Sequence, residues 1–244
     1  MQIECIQSFV LFEMCECNVM KSTRELFYNL KKVSKKWENY FEIYDKILPQ
    51  FVGKNPTMLI IGVAQGGCIE MFSEYFDNQC TIYAMDYNKD FLDHKYDNPN
   101  VFLSCGDQAD HENWNAFLKD NPKYDIIIDD GGHEMTQQIV TLERTFKHLN
   151  DDGIYVVEDT HTSYMKEWGG GWKKETSFIE YVKNLVEIMH RDFIGQPPKE
   201  LMDTFPNLKS VTFYDSVTII EKGPTIRRVE AISNSKQNPD FEWR

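Results

Sequence analysis

Two short strings gather the groups that can do chemistry in this 244-residue sequence: Asp129-Asp130-Gly131-Gly132-His133 and Glu158-Asp159-Thr160-His161. Each closes an apolar run of strand length, YDIII and GIYVV. If those strands are parallel neighbours, both strings leave the sheet at one edge and Asp130, Glu158 and Asp159 converge. Three carboxylates at close quarters repel unless protons are taken up or a cation lies between them. Oxygen-only ligands suit a hard ion such as Mg2+, with Mn2+ or Ca2+ as alternatives. His133, three residues beyond Asp130, stands where a near-neutral imidazole acts as a general base. The plainer alternative is that these acids cap the following helices, which stays open for Asp129 taken alone. Capping does not require Glu and Asp in tandem at the next strand end.

A second set lies upstream. The run MLII ends in Gly62-Val63-Ala64-Gln65-Gly66-Gly67, where glycine lets the backbone turn tightly and approach a ligand. The spacing is GxxxGG, not the GxGxxG of a pyrophosphate binder, which disfavours a nicotinamide dehydrogenase. Asp86 ends the next apolar run, where an acid can accept from both hydroxyls of a ribose, and Asp107-Gln108 ends the third, where an adenine edge would lie. A glycine turn common to βαβ units with a capping Asp86 is the alternative. Ligand-type residues at three consecutive strand ends favour a nucleoside without a pyrophosphate. With S-adenosylmethionine as that nucleoside, the sulfonium methyl is the electrophile and the protein must align oxygen, carbon and sulfur. A sugar or aliphatic hydroxyl hardly ionises near neutral pH, so a divalent ion on its oxygen and an imidazole for its proton would both accelerate transfer.

The elements that must position these groups follow from periodicity. Positions 22 to 48 read as one helix, with Leu26, Leu30, Val33, Trp37, Phe41, Tyr44 and Leu48 at steps of three or four. Strands are expected at 58–63, 81–86, 100–107, 124–130 and 153–159, continuously apolar as in a sheet covered on both faces. Helices are expected at 134–149 and, after the Gly169-Gly170-Gly171 loop, along Phe178, Tyr181, Val182, Leu185 and Met189. The pair 210–215 and 216–222 has no room for a crossover and must turn back antiparallel. The expected class is therefore α/β, a doubly wound and mostly parallel sheet with a terminal antiparallel strand. Its divisions are an N-terminal extension (1–21), one domain (22–223) opening with a helical cap (about 22–50), and a polar tail (224–244).

Composition narrows the partners. Asp and Glu outnumber Lys and Arg by 39 to 26, a net charge of -13, which speaks against nucleic acid and against an anionic membrane surface. Part of that acidity falls at the predicted sheet edge, where a cationic cofactor and a metal would bind. Six scattered cysteines lack zinc or disulfide spacing; the Cys15/Cys17 pair stands alone, and reduced thiols in a cytoplasmic protein are expected. Glu4, Glu13 and Glu16 interrupt the first apolar stretch, which does not read as a signal peptide, and no run reaches membrane-spanning length.

The strings KKWENYFEIYDKIL, LIIGVAQGG, GDQAD, DIIIDDGGHEMTQQ, EDTHTSY and FYDSVTIIEK occur in one order over roughly residues 30 to 223. In this the chain resembles the metal-dependent sugar O-methyltransferases of macrolide biosynthesis and their glycan-modifying relatives. The resemblance implies a class I, Rossmann-like methyltransferase fold, S-adenosylmethionine as methyl donor, and Mg2+ (alternatively Mn2+) on Asp130, Glu158 and Asp159 with His133 as base. Cofactor contacts would fall on Gly62, Ala64, Gly66, Asp86, Asp107, Gln108 and Asp129. Two departures stand out: Ile60 where the family commonly has Glu, and Gly132 where many members have Ser. His161, Tyr164 and Trp172 are candidate acceptor contacts, with Trp168 in the same aromatic wall and Tyr40 and Tyr44 as weaker claimants on the N-terminal helix. The acceptor expected is a sugar hydroxyl, a deoxyhexose such as rhamnose, in a glycan or glycosylated metabolite, taken by a homo-oligomer or a part of a larger glycan-assembly polypeptide. Competing expectations are a catechol-like or antibiotic methyltransferase, a hydroxylase-type relative, and a non-catalytic nucleoside-binding domain.

Overall fold

The computed structural model describes residues 21–196 and 198–224. Expectations for 1–20 and 225–244, Cys15 and Cys17 among them, lie outside the described residues. Strands β1 (Thr57–Ile61), β2 (Thr81–Asp86), β3 (Val101–Cys105), β4 (Tyr124–Asp129), β5 (Leu149–Val157), β6 (Leu208–Phe213) and β7 (Thr218–Lys222) form one sheet in the order β3-β2-β1-β4-β5-β7-β6. β1 to β5 are parallel, and β7 runs antiparallel to both β5 and β6. The strand order reverses between β1 and β4, the place at which an open α/β sheet offers a crevice at the carboxyl ends.

Register brings the chemistry together. Ile61 pairs with Met85 and with Asp129, and Asp129 with Val157. The ladder runs on past the strands: Gly62 N donates to Met85 O, Asp130 N to Ile61 O and Glu158 N to Asp129 O, each at 2.9 Å. Gly62, Asp130 and Glu158 are therefore fixed side by side by main-chain bonds, before any side chain acts.

Helices cover both faces, which is why the strands are apolar on both. Alternation sends Met58, Ile60, Ile126, Ile128, Ile154 and Val156 to one core, packed by α2 (Glu38–Ile47) and α3 (Gly67–Tyr75). Leu59, Ile61, Ile127, Tyr155 and Val157 go to the other, under α4 (His111–Lys119), α5 (Met135–Thr145), α6 (Phe178–Lys183) and α7 (Leu185–Met189). Ile60, one departure from the family pattern, is wholly buried in the first core. The helix expected along Phe178–Met189 is two short ones, and α8 (Lys199–Thr204) precedes the hairpin. Among the described residues Cys68, Cys80 and Cys105 are free thiols, and no helix is long and apolar enough to cross a membrane.

One expected element is broken. Residues 22–48 are not one helix but α1 (Thr23–Tyr28) and α2, joined by a non-helical strap over 30–37. Tertiary bonds win over the helical period there: Glu70 accepts from Lys31 N (3.1 Å) and Lys32 N (2.8 Å), and Val33 O accepts from Gly67 N (3.1 Å). Val33 and Ser34 have modest helix propensity and resist little.

Candidate active site

The ends of β4 and β5 hold an acidic cluster braced from the N-terminal segment. Lys36, at the end of the strap, extends its ammonium to 2.6 Å from both Asp130 Oδ2 and Glu158 Oε1. From α2, the Tyr44 hydroxyl donates to Glu158 Oε1, and the Tyr40 hydroxyl donates to Asp159 Oδ1 (2.5 Å) while accepting from Asp159 N (3.1 Å). Tyr40 and Tyr44 are both about 1% exposed and brace carboxylates through their hydroxyls; Tyr40 also borders the cavity, Tyr44 does not. Asp159 and His133 both adopt left-handed backbone (φ 54° and 59°). Single non-glycine residues held there store strain of order 1–3 kcal/mol and occur where side-chain placement matters more than local ease. His133 Nε2 lies 3.4 Å from Asp159 Oδ2 and 3.9 Å from Asp130 Oδ1, and Trp168 packs against its ring, centroids 6.0 Å apart.

The charges do not balance. Asp130, Glu158 and Asp159 set three carboxylates against the one ammonium of Lys36, a formal excess of two negative charges. Burial raises the Glu158 carboxyl to about 7, and Asp130 pushes the same way against the pull of Lys36. Burial alone would lower the Lys36 ammonium, but Asp130 and Glu158 hold it above its ordinary value. A divalent cation matches the excess. Asp130, His133 and Asp159 can each turn one ligand atom toward a common point, these atoms lying within 4.8 Å of one another. The donor set, mostly hard oxygen, fits Mg2+ or Mn2+.

On the β1–β3 side the residues expected to contact a cofactor also hold the protein's own turns. Asp86 Oδ2 accepts from Val63 N (2.7 Å) and Ala64 N (3.0 Å), and Oδ1 from Asn88 N (2.9 Å), so the carboxylate pins the Gly-rich turn. Asp107 Oδ1 accepts from Ala109 N (2.8 Å). Gln108, expected at an adenine edge, is 6% exposed and used internally: Nε2 donates to Asp129 Oδ1 and Thr141 Oγ1 (3.0 Å each) and Oε1 accepts from Gly132 N (2.7 Å). Asp129 is 1% exposed, and burial pushes its carboxyl up to about 7. It caps no helix, since Glu134 and Gln137 form the capping box of α5. Gly62 is required by the protein itself: at φ 88° a Cβ would lie 1.9 Å from Asp130 O. At Gly132 a Cβ would meet Gln137 Oε1 at 2.1 Å, so the capping side chain occupies the space a serine there would need.

A single cavity of about 550 Å3 joins the two halves, running from Gly62, Val63, Ala64, Asp86 and Asp107 to Asp130, His133, Glu158, Asp159 and His161. That is the size of a nucleoside-type ligand site. Tyr164 and Trp172 do not line it: they are 48% and 80% exposed and face each other, ring centroids 6.3 Å apart. Its aromatic lining includes Trp168, Tyr40, Tyr87 and Trp37, the last edge-on to His161 at 6.2 Å. His161 Nδ1 in turn meets Ser216 Oγ at 2.5 Å. Lys36 and Trp37 are site residues that periodicity conceals: Trp37 fits the apolar face of a longer helix, and Lys36 falls among the charges between.

The chain is 27% identical over 205 residues to the 8-demethyl-8-alpha-L-rhamnosyl tetracenomycin-C 2'-O-methyltransferase of Streptomyces olivaceus, covering 79% of this chain and 53% of the relative. It is 25% identical to the mycinamicin VI 2''-O-methyltransferase of Micromonospora griseorubida, covering 74% and 47%. It is thus similar in sequence to sugar O-methyltransferases. The MycE methyltransferase of the mycinamycin biosynthetic pathway, solved in complex with Mg and SAH, superposes with a TM-score of 0.74 at 23% identity, covering 83% of this chain and 55% of that one. The fold is thus that of a class I methyltransferase, as the motif order implied. No protein-family model matches the chain. It spans about half the length of the curated relatives it matches (53% and 47%).

Proposed function

We propose that this chain transfers a methyl group from S-adenosylmethionine to a sugar hydroxyl, a deoxyhexose such as rhamnose being the acceptor, with Mg2+ or Mn2+ as the ion. Residues 22–223 are the proposed catalytic unit. The observation that carries the reading is the continuous cavity between the Gly-rich turn and an acidic cluster with two uncancelled charges, with His133 on its wall. Relatives named for rhamnosyl and mycinamicin substrates support the acceptor class.

Asp130, Glu158 and Asp159 would hold the divalent ion, which when bound would lower the cost of negative charge on the attacking oxygen, and the bound methyl donor would supply the electrophilic carbon. The chain's own residues do the rest. The Val63 and Ala64 amides, fixed by Asp86, hold the turn open toward the nucleoside. Trp168 and Trp37 wall the acceptor end of the cavity. His133 Nε2 takes the hydroxyl proton as the carbon–oxygen bond forms and the carbon–sulfur bond breaks with its electrons left on sulfur. Asp159, 3.4 Å from that nitrogen, attracts the resulting imidazolium. We assign His133 as base and not ligand because a hard ion prefers the carboxylate oxygens around it. His161, held by Ser216, is the proposed acceptor-side polar contact.

The test is an assay of purified protein with S-adenosylmethionine, Mg2+ and a panel of rhamnosyl glycosides and catechols, read by mass spectrometry. Methylated glycoside is expected. Methylation of catechols alone would replace the acceptor class, and cofactor binding without product from any acceptor would favour a non-catalytic domain.

A further inference from the structure

The cation already in the cluster carries an inference that rests on the metal-dependent reading above. The Lys36 side chain is 1% exposed, and its Nζ lies 2.6 Å from Asp130 Oδ2 and from Glu158 Oε1, oxygens of the set assigned to the divalent ion. Its approach is built into the fold. The strap that delivers it is tied to the start of α3 by Gly67 N donating to Val33 O (3.1 Å) and by Glu70 accepting from Lys31 N and Lys32 N. Gly67 has no room for a side chain there, since a Cβ would lie 2.7 Å from Val33 O and from Ser34 Cβ. An ammonium buried without partners would be expelled, so the two carboxylates and the strap specify one another.

We propose that Lys36 is a resident cation that shares the Asp130–Glu158 pair with the divalent ion and thereby sets how tightly that ion is held. It acts in two ways: it occupies lone pairs that would otherwise coordinate, and at this distance its charge repels a second cation in a poorly screened site. Lys36 is a positioning residue. Its removal frees ligand oxygens and deletes a like charge, so metal affinity rises, whereas a lysine that only filled space would leave affinity unchanged.

The experiment is Mn2+ titration of the full chain by calorimetry for the wild type, Lys36→Met and Lys36→Arg. The Met variant is expected to bind Mn2+ about tenfold tighter or more, and the Arg variant to stay within about threefold of wild type. Wild-type binding with equal or weaker binding by a folded Met variant overturns the proposal and leaves the metal-dependent reading standing. Absence of binding by every protein overturns both. If Lys36→Met is unfolded, Mn2+ added during refolding should restore its near-ultraviolet circular dichroism, because the ion replaces the missing charge; failure of that rescue overturns the proposal.

Discussion

At the ends of β1 to β3 polar side chains are satisfied by the protein's own amides, whereas at the ends of β4 and β5 negative charge gathers beyond what the protein's own cation cancels. Asp86 and Asp107 spend their hydrogen bonds on backbone amides of the turns, and Gln108 spends its own on Asp129, Thr141 and Gly132 N. Asp130, Glu158 and Asp159 are braced by Lys36, Tyr44 and Tyr40 and still leave a formal charge of two unmatched. The first half is a hydrogen-bonded cradle that offers shape; the second carries an excess of negative charge that a further cation, or proton uptake by Glu158, offsets. The division explains how one cavity can serve a nucleoside and a metal without either site perturbing the other's scaffold.

The sharpest way to break this division is His133→Ala. Methyl transfer should fall by about 10²–10⁴-fold, the range for a lost general base, with SAH affinity within about threefold of wild type; parallel loss of cofactor binding would show that the halves are not separable. Gly62→Ala attacks the seam where they touch. With a Cβ 1.9 Å from Asp130 O, we expect a stability loss of about 3 kcal/mol or failure to fold, read by denaturant unfolding. Gln108→Ala removes three bonds of the cradle and leaves Asp129 and Gly132 N short of a partner; a loss of about 2 kcal/mol is expected. An unchanged midpoint would return Gln108 to a ligand role.

The smallest effect is a pH dependence. Asp129 has its folded carboxyl raised by burial from 3.8 to about 7, so the folded state keeps a proton that the unfolded state has lost. Its contribution is present below the unfolded value and disappears as pH rises through about 7. Between pH 6 and pH 8 the wild type should lose on the order of 1 kcal/mol relative to Asp129→Asn, measured by urea unfolding at the two pH values. Parallel curves for the two proteins would contradict it.

The strands were legible because a sheet buried on both faces demands continuous apolar runs, and runs such as TIYAMD carry no competing signal. The acids at their ends were legible for the same reason: polar residues directly after such runs emerge at the sheet edge. What the residues do with one another was not. Gly62 suggested ligand approach, yet its Cβ position belongs to Asp130 O. Tyr40, Tyr44 and Trp37 share a helical period with core residues, and periodicity is blind to where a hydroxyl at the end of a ring reaches. Lys36 was hidden in a helix that tertiary hydrogen bonds from Glu70 and Gly67 unwind, a competition between distant segments that no local window contains.

In the proposed mechanism metal and methyl donor share one cavity, with the ion on the acidic cluster. That arrangement is tested most directly by the nuclear magnetic resonance signal of S-adenosylmethionine carrying a 13C-labelled methyl, bound to the protein and titrated with Mn2+. Strong paramagnetic broadening is expected, relieved by excess Mg2+ and absent in an Asp130→Asn, Asp159→Asn variant that still binds the cofactor. A methyl signal that stays sharp while Mn2+ is bound, or broadening that survives loss of both carboxylates, would contradict it.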